Sequence, residues 1–340
     1  MAYATGTLDN TLHERIPMEK EILKLLRHAE GAYVSGQAMS HTFGVSRSAV
    51  WKSVASLRKM GFRIGSCANR GYRFEAAPER IVGLDIEADL DTRIIGQSVV
   101  SFDSVPSTID VAGSLASEGC AEGTVIVAES QTGGRGRLGR KWSSPSGCGV
   151  WASIVLRPAM PPRDVPKLTL LTAVAVAKVL SEQYTFDARI KWPNDVTVNG
   201  RKICGALTEL VAEQDAVRHV IASFGLNVNQ TPSMFPAEVA AIATSMRIEK
   251  GEQFDRPEVF RRVLREFDTQ YVHFKQHGSG NVLKQWRDLS CTLGRHVRVQ
   301  MREGYVEGIA RDLDDDGSLI VEEKDGSLRP VSHGDVTIVR

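Results

Sequence analysis

The spacing of apolar residues predicts three helices and two strands in the first quarter of the chain. Helical spacing is found in residues 21–26, in residues 35–43, and along Val50, Val54 and Leu57. Two segments that alternate apolar and polar residues follow, at residues 61–65 and 71–74. Three helices followed by a short two-stranded hairpin are typical of a winged helix-turn-helix.

The middle of the chain alternates predicted strands with predicted helices. Strands are expected at residues 99–103, 124–129, 149–156, 188–190 and 218–229, and helices at residues 107–118, 167–184 and 257–276. Asn199 and Gly200 can supply the two positive φ angles of a type I′ turn, so a hairpin is expected after the fourth of these strands. Strands with helices between them indicate a mixed α/β layered region.

The C-terminal segment consists of short alternating runs separated by turns. The runs are residues 296–300, 305–310, 319–322 and 336–339. This pattern predicts a small β-barrel. We therefore expect an α+β multidomain protein, with an N-terminal tail (residues 1–17), a winged helix-turn-helix domain (18–78), a central mixed α/β domain (79–290) and a C-terminal barrel (291–340).

Composition places the chain among ordinary globular proteins and indicates its cellular compartment. Apolar residues make up 42% of the 340 residues, and the formal net charge is +1. The first seventeen residues lack the apolar core of a secretory signal, and the longest apolar run, residues 168–180, is too short to span a bilayer. We therefore predict a cytoplasmic protein with no membrane partner, whose five scattered cysteines are reduced.

Positive charge is concentrated in the predicted winged helix-turn-helix. Residues 46–73 contain seven Lys or Arg residues and no Asp or Glu. This pattern favours nucleic-acid binding, although basic three-helix modules also bind proteins or are simply solvated. The expected DNA-contacting residues are Ser46, Arg47, Ser48, Lys52, Arg63 and Arg70. Arg47 and Ser48 are expected to read bases and the remaining cations to contact phosphate, with Ser53 also on the polar face of the third helix.

Residues 131–142, QTGGRGRLGRKW, are a candidate anion-binding loop because they hold four cations and four glycines. The run at residues 134–139 matches a dinucleotide-binding fingerprint, but the SSPSG sequence after Trp142 cannot begin the helix that this fingerprint requires. A phosphate-binding P-loop is excluded as well, because no Lys-Ser or Lys-Thr pair follows. The remaining interpretations are a mobile loop whose arginines bind carboxylate or phosphate, and a solvated basic turn.

A second motif gives the loop a context. Residues 191–195, KWPND, precede the predicted hairpin, and Lys202 follows its turn. Together with the GRGRxGRxW loop, the Lys-x-x-Gly-x-x-x-Glu run at residues 202–209 and the GLNVN run at residues 225–229, these residues resemble the biotin protein ligases. The helix-turn-helix ahead of them resembles the bifunctional subgroup, which joins the ligase to a repressor of biotin genes.

The resemblance implies a two-step, ATP-dependent biotin-[acetyl-CoA-carboxylase] ligase. Biotin and Mg-ATP would give biotinyl-5′-AMP and pyrophosphate, and a lysine of a biotin carboxyl carrier protein would then displace AMP. The implied catalytic residues are Arg137, Lys202 and Asp195, with Asp195 also a candidate Mg²⁺ ligand. The resemblance further implies a central sheet related to class II aminoacyl-tRNA synthetases, an SH3-like C-terminal domain, and dimerisation on operator DNA with biotinyl-5′-AMP as corepressor.

The resemblance also assigns ligand-binding residues. The implied biotin-binding residues are Ser107, Thr108, Ile109, Gln131, Gly134, Arg135, Gly136, Arg137 and Lys202. The implied ATP- and adenylate-binding residues are Arg137, Arg140, Trp142, Lys191, Asn194, Asn227 and Phe235. Ile109 departs from the family pattern because it replaces an asparagine, whose hydrogen bond would be absent or supplied by Asp110. Ser107 is also expected to cap a helix, and Trp142 is either a base-stacking or a core residue.

The sequence is also compatible with two other functions. A lipoate or octanoyl ligase would share the fold and the two-step logic, and a ligand-sensing repressor would bind biotin without turnover. The loop and KWPND in combination favour biotin, and the presence of the three implied catalytic residues favours an enzyme. His273 and His277 are expected to form a surface pair rather than a metal site, because no third ligand lies near them.

Overall fold

The chain divides into two compact units between Asp89 and Leu90 in the computed structural model, which describes residues 16–213 and 216–339. The predicted N-terminal tail, residues 1–17, lies outside the described residues as far as residue 15, and the first helix begins at Ile16. Each unit has its own core and is described separately.

The N-terminal unit contains four helices and one hairpin. Its elements are α1 (Ile16–His28), α2 (Gly36–Phe43), α3 (Arg47–Lys59), β1 (Arg63–Cys67), β2 (Gly71–Ala76) and α4 (Gly83–Ala88). Ser35 and Ser46 accept hydrogen bonds from the first turns of α2 and α3, and Gly44 ends α2 in the left-handed conformation, with φ 63°. The antiparallel β1–β2 hairpin follows α3. The predicted helix-turn-helix and its wing are confirmed.

The core of this unit joins α1 to α3. The predicted stripe of Val50, Val54 and Leu57 is fully buried against apolar residues of α1. The assignment of Ser53 to the polar face was wrong, because its side chain is only 2% exposed. Ser53 lies one helical turn before Leu57, so it points to the edge of the buried stripe, where a small hydroxyl fits. Helix α4 was not predicted, since six residues show too little periodicity.

The second unit is built on a seven-stranded mixed sheet. Its elements before the C-terminal segment are β3 (Val99–Val105), α5 (Thr108–Ser117), β4 (Val125–Gln131), β5 (Gly149–Leu156), α6 (Pro166–Lys178), β6 (Ala188–Lys191), β7 (Asp195–Val198), β8 (Arg201–Glu213), β9 (Ala216–Asn227), α7 (Met246–Lys250), α8 (Arg256–His277) and α9 (Gly280–Leu289). The strand order is β3-β4-β5-β9-β8-β7-β6, with only the β3–β4 pair parallel among these strands. The predicted mixed α/β region is confirmed.

Several local features of this sheet have clear physical causes. Asn199 and Gly200 have φ angles of 51° and 76°, so the predicted turn between β7 and β8 is confirmed. The long predicted helix at residues 167–184 is α6 followed by a wider turn at Val179–Gln183. Every residue of β5 is buried because strands flank it on both sides and α5 and α8 contact it. Helices α7 and α9 were not predicted.

The C-terminal segment forms a five-stranded antiparallel sheet. Its strands are β10 (His296–Gln300), β11 (Tyr305–Leu313), β12 (Leu319–Glu322), β13 (Leu328–Val331) and β14 (Asp335–Ile338), in the order β13-β12-β11-β10-β14. The unpredicted β13 is an edge strand containing Pro330, and proline is tolerated at an edge. Trp192 ties this sheet to the central one, since its indole Nε1 donates to the Gly317 carbonyl oxygen at 3.2 Å.

Three further predictions concern the cysteines, a histidine pair and membrane-spanning helices. All five cysteines are free thiols, as predicted. The rings of His273 and His277 lie 4.7 Å apart, and the described part of the chain contains no group of three His, Cys, Asp or Glu residues that could hold a metal ion. Among the described residues, no helix has the length and apolarity needed to cross a bilayer.

Candidate active site and nucleic-acid interface

A cavity of about 320 Å³ lies on the seven-stranded sheet, enclosed by the loop after β4, the turn between β6 and β7, and the loop after β9. It gathers most of the predicted ligand-binding residues. Those lining it are Thr108, Ile109, Gln131, Arg135, Gly136, Arg137, Arg140, Trp142, Lys191, Asn194, Asp195, Lys202, Asn227 and Phe235. Residues separated by more than a hundred positions therefore meet at one site.

Two predicted biotin-binding residues, Ser107 and Gly134, do not line this cavity. Ser107 is 1% exposed and caps α5, since its Oγ accepts from the Ile109 N–H at 3.3 Å. The Gly134 carbonyl accepts from the Trp142 N–H at 2.9 Å, and a Cβ on Gly134 would lie 2.6 Å from the Trp142 carbonyl oxygen. Both residues shape the wall from behind, the first by capping and the second by close backbone packing.

Arg135 is held by two carboxylates. Its Nε donates to Glu209 Oε1 at 3.0 Å and its Nη1 to Asp110 Oδ1 at 2.7 Å. The hydrogen bond to Glu209, followed by that to Asp110, raises the pKa of Arg135 against the opposing effect of partial burial. Asp110 is therefore committed to Arg135, which argues against the idea that it replaces the missing asparagine at Ile109.

Arg137 lies deeper in the same loop and has weaker partners. Its Nη1 is 3.4 Å from Asn194 Oδ1, near the upper limit for a hydrogen bond. Burial is the main effect on this group and lowers the pKa of Arg137, while the charges of Asp335 and Asp195 oppose that shift. A half-buried guanidinium with one weak hydrogen bond is suited to meet an anionic ligand.

Lys202, Asp195 and Trp142 form a compact cluster in the wall of the cavity. Lys202 Nζ is 2.6 Å from Asp195 Oδ1 and 5.2 Å from the centroid of the Trp142 ring. The indole lies on Gly225, where a Cβ would come within 2.4 Å of its Nε1. Trp142 therefore both lines the cavity and packs tightly, and its buried Nε1 has no hydrogen-bond partner among the described residues. Glycine is required at residue 225 for the indole to approach β9 this closely.

Two asparagines use part of their hydrogen-bonding capacity to hold the walls. The Asn194 Nδ2 donates to the Ala206 carbonyl oxygen, which joins the KWPND turn to β8. The Asn227 Nδ2 donates to the Thr244 carbonyl oxygen at 2.9 Å, and Gln230 Nε2 donates to Asn227 Oδ1 at 2.9 Å. Each amide therefore positions a loop and retains one N–H.

The loop between β9 and α7 covers one side of the cavity. Its backbone pairs with β8 at Lys202, where the Lys202 N–H donates to the Ile242 carbonyl at 2.7 Å and the Thr244 N–H to the Lys202 carbonyl at 2.8 Å. Phe235, Val239 and Ile242 all line the cavity. Only Phe235 was predicted, because apolar residues in an irregular segment follow no periodic pattern.

Ser223 and Asp335 also line the cavity and were missed from the sequence. Asp335 belongs to β14 and forms an ion pair with Arg140, across a sequence separation that no local pattern reveals. Ser223 interrupts the apolar run at residues 220–226 of β9, and its position relative to the cavity depends on strand pairing. A polar residue in a buried strand is the one signal that could have found Ser223.

The predicted nucleic-acid face is a separate surface on the N-terminal unit. Arg47, Ser48, Lys52, Arg63 and Arg70 are all exposed. Ser46 is also exposed, but its Oγ accepts from the Ala49 N–H at 3.2 Å, which makes it the helix cap. The Arg70 guanidinium stacks 4.5 Å from the centroid of the Tyr33 ring.

Trp51 is a residue of this face that the sequence reasoning missed. Its side chain is 58% exposed although it follows the buried Val50. Trp51 lies one turn after Arg47 and beside Lys52, so a large apolar ring projects from a basic surface. Exposed aromatic groups within a charged surface are typical of binding sites.

Comparison with known proteins identifies the family. Residues 101–229 match the Biotin/lipoate A/B protein ligase family, residues 292–339 the Biotin protein ligase C terminal domain, and residues 19–73 an HTH domain. The chain is 38% identical to the bifunctional ligase/repressor BirA of Bacillus subtilis (strain 168), over 95% of this chain and 99% of that relative. The chain belongs to the bifunctional biotin ligase/repressor family.

Other members of the bifunctional biotin ligase/repressor family and solved structures agree with this assignment. The chain is 29% identical to the bifunctional ligase/repressor BirA of Escherichia coli (strain K12), over 91% of this chain and 94% of that protein. It also resembles the structure of the biotin protein ligase from Aquifex aeolicus in complex with biotin and ATP, with a TM-score of 0.62 and 28% identity over 72% of this chain and 99% of that one.

Proposed function

We propose that this protein activates biotin with ATP as biotinyl-5′-AMP and transfers it to a lysine of a biotin carboxyl carrier protein. The observation that carries the proposal is the meeting of Arg137, Lys202 and Asp195 around one cavity. Relatives named ligase/repressor cover almost the whole chain, and a structural relative binds biotin and ATP. A lipoate or octanoyl ligase remains the second candidate only because the matched family also contains lipoate ligases.

The first step requires two anions to approach each other. A biotin carboxylate oxygen attacks the α-phosphorus of ATP, an acyl–phosphate bond forms, and pyrophosphate leaves. Lys202 and Arg137 would neutralise the carboxylate and the developing charge on phosphorus, because fixed cations in a partly desolvated cavity stabilise such a transition state. We propose that Lys202 exchanges its Asp195 partner for the carboxylate during this step.

The second step needs a neutral amine. The acceptor lysine attacks the acyl carbon, a C–N bond forms, AMP leaves, and the amine gives up a proton. A free lysine has a pKa of about 10.4, so a group that accepts or shares that proton is needed. Asp195 is the proposed base or orienting group, because its carboxylate lies in the cavity and is half-buried beside Lys202.

Mg²⁺ is proposed to enter with the nucleotide. The carboxylates that line the cavity, Asp195 and Asp335, are each paired with a cation. One carboxylate plus substrate phosphates is a common Mg²⁺ environment, which fits this donor set. Asp195 would hold the ion directly or through water, and the ion would shield the phosphate charges.

Regulation of DNA binding is the second half of the proposal. We propose three tasks for three segments: operator binding by residues 18–78, catalysis by residues 79–290, and support of nucleotide and acceptor binding by residues 291–340. The exposed cations of α3 and the wing would contact operator DNA. Biotinyl-5′-AMP would act as corepressor by favouring a homodimer.

The deciding experiment incubates the full chain with biotin, Mg-ATP and a biotin carboxyl carrier domain, and measures the mass of that domain. Addition of one biotinyl group, dependent on ATP, is expected. Separate incubations that replace biotin with octanoate or lipoate test the second candidate. Modification by octanoate or lipoate but not by biotin would overturn the biotin assignment, and biotin binding without transfer would favour a ligand-sensing repressor.

The regulatory half has its own measurement. Duplexes are selected from a random-sequence pool by the full chain in the presence of biotin and Mg-ATP, and affinity for the recovered duplex is compared with and without the two ligands. Tighter binding with both ligands is expected. Equal affinity under both conditions would reject the corepressor role.

A further inference from the structure

A chain of hydrogen bonds links four polar side chains at one end of the cavity. Gln131 Oε1 accepts from the Thr108 N–H at 2.9 Å and from the Thr108 hydroxyl at 3.2 Å. Ser153 Oγ lies 2.8 Å from Thr108 Oγ1 and 2.9 Å from Ser223 Oγ. The three hydroxyl residues are at most 6% exposed, so water does not compete freely for these bonds.

The donor and the acceptor of every hydrogen bond in this series follow from the first bond. The backbone N–H of Thr108 can only donate, so the Gln131 atom facing it must be the carbonyl oxygen. That oxygen can only accept, so the Thr108 hydroxyl uses its single proton there. Ser153 must then donate to Thr108, which leaves Ser153 without a proton for its other neighbour. Ser223 therefore donates to Ser153.

The result is an acceptor facing the cavity. Ser223 lines the cavity and donates its only proton to Ser153, so its hydroxyl oxygen can only accept further hydrogen bonds, through its two lone pairs. Gln131 Nε2 donates one N–H to Ser144 Oγ at 2.8 Å and keeps a second. This end of the cavity thus offers one acceptor and one donor, while the neighbouring Ile109 offers neither.

Strand β9 runs from this end of the cavity to the end that holds Lys202. Gly225 follows Ser223 by two residues on β9, a rise of about 7 Å, and carries the Trp142 ring beside Lys202. A ligand with a carboxylate at Lys202 would place its opposite, uncharged end toward Ser223. The ring of biotin carries a cyclic urea there, with two N–H donors and one carbonyl acceptor.

We propose that Ser223 Oγ accepts a hydrogen bond from a ring N–H of this urea and is a specificity-determining residue of this chain. The inference rests on the proposed function, since it takes biotin as the ligand. Ser223 supplies polar recognition on a wall where Ile109 stands in place of an amide. A cyclic ligand without an N–H at that position leaves the lone pairs of Ser223 Oγ without a donor in the cavity and is disfavoured.

The test measures biotin binding to the full chain by calorimetry without ATP. Ser223→Ala is expected to weaken binding by about tenfold, whereas Thr172→Val leaves it unchanged. Thr172 is a suitable control because its side chain is also buried but its hydroxyl donates to the Leu168 carbonyl oxygen within α6, outside the cavity lining. Thermal unfolding checks that each variant is folded, and Ser223→Gly replaces Ser223→Ala if the latter is not.

Biotin analogues distinguish a hydrogen bond from a packing effect. In two cyclic carbamates, one or the other ring N–H is replaced by oxygen. The proposal expects the penalty of Ser223→Ala to vanish with one of the two. An equal penalty for biotin and both carbamates, or no penalty with biotin, overturns it. Failure of the unaltered chain to bind biotin at all would instead overturn the proposed function.

Discussion

The cations of the cavity and the cations of the α3 surface differ in their partners. Arg135, Arg140 and Lys202 each form an ion pair with a carboxylate from a different part of the second unit. Within the part of the chain that the structure describes, Arg47, Lys52 and Arg63 form no ion pair, and residues 46–73 contain no acid.

This difference indicates two ways of recognising an anion. Carboxylate partners fix the positions of Arg135, Arg140 and Lys202 before a ligand arrives, and the ligand must replace or rearrange these partners. The exposed cations of α3 are solvated and screened, so they attract phosphate over a distance without defined geometry. Variants in the cavity should therefore change rates sharply, whereas variants on α3 should change affinity gradually and in a salt-dependent manner.

The largest effect is expected for Lys202→Ala. The change removes the cation that would meet the biotin carboxylate and leaves Asp195 without its partner, so adenylate formation should fall by about a thousandfold. Pyrophosphate exchange measures this step. Arg189→Ala, which removes an exposed cation paired with Asp187, is the control. An ordinary exchange rate in Lys202→Ala would remove this lysine from the reaction.

Arg137→Gly should weaken the retention of biotinyl-5′-AMP in the cavity and leave folding unchanged. Its side chain is half-buried with one weak hydrogen bond, so its loss should release biotinyl-5′-AMP roughly tenfold to a hundredfold faster. Release is followed by rapid dilution and by labelling of an unrelated protein. Leu138→Gly is the matched loop control, because Leu138 is 67% exposed, has φ 55° and does not line the cavity. Equal release from both variants contradicts the role of Arg137.

Trp51→Ala should reduce sequence preference on DNA. An exposed indole on the reading face can contact a thymine methyl group, so its loss should lower the ratio of affinities for the selected duplex and a scrambled duplex by about tenfold. The salt dependence should not change, since no charge is removed. An unchanged ratio of the two affinities would place Trp51 outside the DNA interface.

Lys52→Ala should have the smallest and most general effect. Removal of one phosphate contact should weaken binding to both duplexes alike and reduce the slope of log affinity against log salt by about 1. Titrations at several salt concentrations measure that slope. Lys24→Ala on α1, which removes a lysine paired with Glu21, is the control. A selective loss for one duplex would make Lys52 a base reader instead.

Local patterns predicted most of the secondary structure. The capped helices α2 and α3, the Asn199–Gly200 turn and the buried strand β5 follow from side-chain periodicity and backbone preference alone. Short or edge elements were missed, as with α4 and the proline-containing β13, because few residues carry the signal and tertiary packing stabilises them.

The candidate site was predicted in its motifs but not in its contacts. Ser107 and Gly134 are part of the motifs, yet they support the wall instead of lining it. Asp110 was considered as a ligand partner, but it pairs with Arg135. Such outcomes depend on which side of a helix or loop faces the cavity, and several orientations are compatible with the same motif.

The sequence by itself determined the winged helix-turn-helix, the family motifs and the cations that meet anions, because these depend on periodicity, turn chemistry and residue type over short distances. Only the tertiary structure decided how those cations are paired, that Asp335 reaches Arg140, and that Ser223 joins Thr108 and Gln131 through Ser153. These contacts join residues far apart in the chain, and strand order and register fix which of them meet.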